Sequence, residues 1–203
     1  MKSNSFNRRS IRLPEYDYSL PGEYYVTSCI HNRECLLGDV ADEQMILNDF
    51  GLSVKKFWLA LPSHYKNLSL GEWVIMPNHM HGIIIIHDLI PVGAIHESPL
   101  QESNHGLSIQ ESPLKNQRRQ MLLFKAVGRF KMNSSKEINS IRNTQGQPVW
   151  QRNYFEHIIR DGQSYTNIEH YIRTNPSNWR TDVENPDYIK NKNNQNSNSK
   201  LLQ

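Results

Sequence analysis

Residues 68–87, LSLGEWVIMPNHMHGIIIIH, constrain the fold more than any other stretch of the chain. Two runs rich in apolar and β-branched residues flank Pro77-Asn78, a pair that favours a turn, so the expected product is an antiparallel hairpin. Four consecutive isoleucines belong in a core strand. Yet His79 and His81 open that strand. Residues i and i+2 of a strand share a face. The two imidazoles therefore stand side by side, and Met80 points into the opposite layer. Buried imidazoles cost free energy unless something satisfies them. They are either hydrogen-bonded bystanders or half of a metal site.

The flanking segments supply the rest of the expected fold. Glu23–Ile30, EYYVTSCI, is β-branched and aromatic and reads as a strand. From Asp42 to Leu61, apolar residues recur at helical spacing (Ile46, Phe50, Val54, Phe57, Leu61), with Asp42 as the N-cap and Pro62 as the stop. Asn116–Glu137, NQRRQMLLFKAVGRFKMNSSKE, resumes helical spacing, with Asn133-Ser134-Ser135 as an early stop. PVWQRNYFEHIIRD reads as a short strand region, and a last helix ends at Asn175-Pro176. The order β-α-β-β-α-β plus a helix predicts an α+β, ferredoxin-like fold: a four-stranded antiparallel sheet with helices on one face, and a C-terminal helix. Residues 1–20 form a basic N-terminal arm and 21–180 the main domain. A polar insertion occupies 88–116, where HESPL is echoed by QESPL, and 181–203 is an Asn-rich tail expected to be disordered.

Composition excludes more than it identifies. The chain has 203 residues, 37% of them hydrophobic, and a net charge of +3, a mild hint of an anionic partner. Its cysteines, Cys29 and Cys35, are not paired with histidines at zinc-finger spacing. No secretory h-region and no membrane-spanning apolar run is present, so a cytoplasmic, reduced protein is expected.

Two further segments carry chemistry. Lys115–Lys136 contains seven Lys or Arg and no acid. Arg118, Lys125, Arg129 and Lys136 fall on one line of a helix, opposite Leu123, Phe124, Val127 and Phe130. A single-sign stripe suits a nucleic-acid backbone better than an ordinary solvated face, which mixes signs. In HYIRTN, Tyr171 and Asn175 are i and i+4, hence helical neighbours, beside the stripe of Tyr165, Ile168 and Ile172.

The ordered set VIMPNHMHGIII, WQRNYFEHIIRD and YIRTNP resembles the HUH single-tyrosine transposases (transposase IS200-like), and within them the REP-associated tyrosine transposases. The N-terminal RRSIRLPEYDYSLPGEYYVTSCIHNRECLLG is similar to the start of that group, so the likeness runs from about Arg8 to Trp179. The resemblance implies a metal-dependent enzyme that nicks and rejoins single-stranded DNA beside a hairpin. It implies His79 and His81 as metal ligands, Tyr171 as nucleophile and Asn175 as the polar side chain completing the metal site. The insertion-sequence branch usually has glutamine at that position; here it is the shorter asparagine, just before Pro176, which disfavours helical geometry at its predecessor. Tyr154 is the rival nucleophile. Trp150, Tyr154 and Phe155 read as packing or base-stacking residues, and Glu156 and His157 as structural or DNA-contacting. Arg8, Arg9 and Arg12 of the arm join the basic stripe as expected DNA contacts.

The mechanism so implied is covalent. A divalent cation, Mg2+ or Mn2+, offsets charge on the phosphate, and Tyr171 attacks to give a 5′-phosphotyrosine and a free 3′-hydroxyl. The expected partner is hairpin-forming single-stranded DNA, the expected location the bacterial nucleoid, and a monomer is favoured over a dimer. Three alternatives stand beside this reading: a domesticated hairpin-binding protein without transesterase activity, a metal-dependent hydrolytic nuclease with a structural Tyr171, and an RNA-binding ferredoxin-like module.

Overall fold

The computed structural model of the chain describes residues 16–88 and 121–190. Arg8, Arg9, Arg12, Arg118, nearly all of the insertion and residues 191–203 lie outside them. Strands β1 (Gly22–Cys29), β4 (Leu68–Ile75), β5 (His79–Ile86) and β6 (Phe155–Ile159) form one antiparallel sheet in the order β4-β5-β1-β6. This is the expected split βαβ arrangement: β1 and β4 flank β5, and β5 and β6 flank β1. The β4–β5 hairpin turns at Pro77-Asn78, closed by a 2.8 Å bond from Met76 N–H to His79 O.

Helices α1 (Asp49–Leu59), α2 (Leu61–His64) and α3 (Leu122–Ile141) precede α4 (Gly162–Asn178). One sheet face carries Tyr24, Val26, Met80, Ile84 and Ile86. It packs on Val54 and Trp58 of α1 and on Leu123, Ala126, Val127 and Phe130 of α3 in the main core. The other face carries Tyr25, Ile83, Ile85 and Ile159, and α4 covers it with Tyr165, Ile168 and Ile172. The α+β architecture is therefore as expected, with the C-terminal helix on the face away from α1 and α3.

Gly82 is fixed by packing. A Cβ there would collide with Trp58 Cζ2, so the indole of α1 presses on bare backbone between His81 and Ile83. On the other face, a Cβ at Gly71 would stand 2.8 Å from the Tyr165 hydroxyl, so β4 admits α4 closely at this point. Arg173 ties α4 to the same strand through Glu72 at 3.3 Å.

Three local expectations are corrected. Residues 42–47 are not helical: β2 (Gly38–Ala41) and β3 (Gln44–Leu47) form a two-stranded ribbon. Asp42 and Glu43 turn it with φ of 49° and 60°, the doubly left-handed form that twisted hairpins favour. The helix starts seven residues later than the expected cap. Asn48 caps it, its Oδ1 accepting from Phe50 N–H and Gly51 N–H at 3.0 Å each. Pro62 does not end a helix but sits in the first turn of α2, where its missing N–H costs nothing. Asn133-Ser134-Ser135 does not stop α3, because the Ser134 hydroxyl is satisfied within the helix by Phe130 O at 2.8 Å.

The chain does not leave the fold at residue 181. A 3-10 turn (Trp179–Thr181) follows α4, Asn185 is buried, and the Asn185 amide donates to Trp179 O at 2.9 Å. Among the described residues, no helix is long and apolar enough to cross a membrane.

Candidate active site

His79 and His81 share the α4 side of β5, 4.6 Å apart between ring centroids, and Met80 is buried in the opposite core. Both imidazoles are buried, 0% and 4% exposed. Burial above all holds both rings below the ordinary histidine range, His79 at about 4; the Arg33 charge adds to this at His79, and His79 adds to it at His81. Both are therefore neutral and able to act as lone-pair donors.

Each ring is held by its Nδ1 edge. The Asn78 amide donates from Nδ2 to Glu184 O at 2.7 Å and to Arg33 O at 3.2 Å. Those two carbonyls fix the amide's orientation, so its Oδ1 faces His79 Nδ1 at 2.8 Å as an acceptor. The proton of His79 is thus on Nδ1, and Nε2 carries the lone pair. On His81, the Tyr25 and Thr27 hydroxyls hold Nδ1 at 2.7 and 2.8 Å, leaving Nε2 toward α4.

Helix α4 delivers Tyr171 and Asn175 to this place. Asp161 caps it, accepting from Ser164 N–H at 2.8 Å, and buried Ile172 anchors it on the sheet. The Tyr171 hydroxyl lies 3.4 Å from His81 Nε2, and the two rings are 5.3 Å apart. Asn175 is 2% exposed and lies close enough to the phenol to favour its ionised form. The expected interruption at Pro176 does not occur. The helix runs on to Asn178, so Asn175 keeps helical geometry and stays one turn from Tyr171. Proline is tolerated so near the end because only one late hydrogen bond is lost.

At this site, and among the described residues, the buried His79 Nε2 and Asn175 Oδ1 are left without a hydrogen-bond partner. Native folds rarely leave such atoms unpaired. Together with His81 Nε2 they make a neutral N,N,O donor set on facing elements. Among the described residues no three His, Cys, Asp or Glu side chains converge, so any ligation here depends on the asparagine. The donor set fits a divalent cation that is completed by water or by a phosphate. With no carboxylate among the three, the cation's charge would remain available to an anionic substrate.

The chain is 39% identical over 176 residues to an uncharacterized protein of Haemophilus influenzae, which covers 87% of this chain and 92% of that one. It belongs to that protein's family. No family model matches the chain. Two solved structures are similar at 16% identity. One is a REP-associated tyrosine transposase bound to a REP hairpin, with a TM-score of 0.48 over 82% of this chain and 72% of that one. The other is a candidate transposase from Deinococcus radiodurans, at 0.41 over 80% and 95%.

The remaining expected site residues are not gathered here. Trp150 is 6% exposed, packs on Phe130 at 5.4 Å and donates its indole N–H to Ser134 Oγ at 2.9 Å. It is a core residue and offers no face to a base. Tyr154 packs on Phe124 at 6.1 Å, in the α3 layer and across the sheet from His79 and His81. Lys125 and Lys136 are exposed and Arg129 reaches His64 Nε2 at 3.3 Å. These three also belong to α3, on the far layer from Tyr171. Sequence reasoning missed Asn78, Tyr25 and Thr27 as the groups that orient the histidines. For Tyr25 and Thr27 a signal existed: alternation along β1 puts both on one face. For Asn78 there was none beyond its turn propensity.

Proposed function

We propose that this protein is a divalent-metal-dependent DNA nicking and joining enzyme of the transposase type, acting on single-stranded DNA beside a hairpin through a covalent link to Tyr171. The observation that carries the reading is the meeting of a half-exposed phenol with three neutral donor atoms, two of them buried and unpartnered. That combination suits the transfer of a phosphodiester, which is anionic and resists an anionic attacker. The motif resemblance to the HUH single-tyrosine transposases points to the same chemistry.

His79 Nε2, His81 Nε2 and Asn175 Oδ1 would hold the cation. Imidazole favours manganese over magnesium, and the asparagine oxygen accommodates either. When bound, the cation would offset charge on the phosphate and lower the cost of forming a phenolate. Unaided, Tyr171 stays protonated: burial and the nearby Asp182 raise its pKa, against the opposing effect of Asn175. With the Tyr171 residue 47% exposed, the phenol proton has a route to water. Tyr171 Oη then bonds to phosphorus and the bond from phosphorus to the 3′-oxygen breaks. The products are a 5′-phosphotyrosine and a 3′-hydroxyl, and the reverse step rejoins the strand without another energy source.

The test is incubation of the full chain with a labelled single-stranded hairpin and Mn2+, followed by a denaturing gel. A labelled band at protein mass, absent with Tyr171→Phe, is expected. Cleavage that survives in Tyr171→Phe would assign the site to a hydrolytic nuclease instead.

A further inference from the structure

Five aromatic rings cross the α4 face of the sheet in sequence. Phe155 meets Tyr25 at 6.1 Å, Tyr25 stacks on His81 at 5.6 Å, and His81 meets His79 at 4.6 Å. His79 in turn meets Trp179 at 6.1 Å. The strand register supports the row, because Phe155 pairs with Thr27 and Thr27 with His81. The three inner rings are committed to the site. The two outer rings are not.

Phe155 is 39% exposed and lies on β6, an edge strand of the sheet. Arg152, three residues before it in the chain, is exposed. At the other end of the row, Trp179 lines an open cleft of about 380 Å3 with Pro176, Arg180 and the ribbon tip, Asp42 and Glu43. Arginines at both ends suit a phosphate backbone. The carboxylates at the tip are acceptors only. They take N–H donors, so beside Arg180, which suits a phosphate, the cleft also offers acceptors to the edge of a base. An exposed phenyl ring at one end of the row and a partly buried indole lining a cleft at the other match the stacking platforms by which proteins hold single strands.

We infer that Phe155 and Trp179 are base-stacking positions that bracket the reacting phosphate, each taking an unpaired nucleotide of single-stranded DNA. The cleft beside Trp179 takes the base whose edge carries N–H donors. This rests on the DNA-transfer reading above. Phe155 and Trp179 position the strand and take no part in bond making.

The experiment measures anisotropy of a fluorescent DNA hairpin bound to the full chain, without metal. One probe carries single-stranded flanks of about six nucleotides, within the range a single binding surface spans, and the other is blunt. Phe155→Ala and Trp179→Ala are each expected to weaken binding of the flanked probe by about five- to tenfold, the low end of the range for loss of one stacked base. Blunt-probe affinity should not change, and Phe155→Tyr should bind as wild type. Equal losses on both probes, or none, overturn the inference. Phe155 is exposed, so its variants report even where thermal melting shows Trp179→Ala to be unfolded. The covalent-adduct gel with wild type separates this from the parent reading. An adduct with no flank-specific loss in the variants sinks only the stacking positions. A flank-specific loss without any adduct sinks only the transfer chemistry.

Discussion

The buried state of His79 makes a quantitative prediction about acid stability. The ring is 0% exposed, and burial followed by the Arg33 charge lowers its pKa to about 4. In the unfolded chain it titrates at about 6.5. The unfolded state therefore takes up a proton first as pH falls. The contribution is fully present above about pH 6.5, is lost progressively between about 6.5 and 4, and levels off below that. Between about pH 7.5 and 5.5 the loss from this one ring is about 1.3 kcal/mol, and the full loss is about 3 kcal/mol. For a chain of this size that first step lowers Tm by about 3–5 °C. The assay is urea unfolding at both pH values for wild type and His79→Gln. The variant removes the titrating group, so its acid loss should be smaller by about 1.3 kcal/mol. His81 is shifted in the same direction, so some acid sensitivity remains in the single variant. Identical acid losses in the two proteins would refute the claim that His79 is buried and neutral.

Two further substitutions probe how the site is held. Gly82→Ala forces a methyl against Trp58, and it should cost about 1–3 kcal/mol in urea unfolding, as for overpacked cores. Asn78→Ala strands the His79 Nδ1–H and two backbone carbonyls. It should cost about 2–4 kcal/mol of stability, read by the same method, and weaken Mn2+ binding by calorimetry about 10- to 100-fold, as other supports of metal-binding histidines do.

The sheet and the placement of Tyr171 were legible because each rests on a local period. The paired histidines follow from strand alternation, and the Tyr171–Asn175 pair follows from helical spacing. The ribbon of β2 and β3 was hidden because Ile46 fits a helical series with Phe50 and Val54, yet it is 60% exposed on a two-stranded element. Its turn uses Asp42 and Glu43 and lacks the glycine or asparagine that marks such turns. The aromatic cluster around Trp150 was legible as a cluster but not by orientation. Trp150 sits in an isolated bridge to Ile30 and points inward, whereas Phe155 starts β6 and points outward, and the irregular residues 151–154 between them break any local period. The basic stripe of α3 was readable as a helix face, but which sheet layer it faces away from depends on tertiary packing that no local window contains.

Tyr171 and Asn175 ride on one helical turn, and both histidines ride on one strand. Distances within each pair are locked by backbone geometry, and the distances between pairs depend on how α4 seats over Ile83 and Gly71. The two pairs are joined across the seat of α4 and, beyond its end, by the bond from the Asn78 amide to Glu184 O. Under the proposed reaction, warming that loosened this seat would part the phenol from the histidines while the sheet stayed whole, so activity would fail with the undocking of one helix, before the core melts.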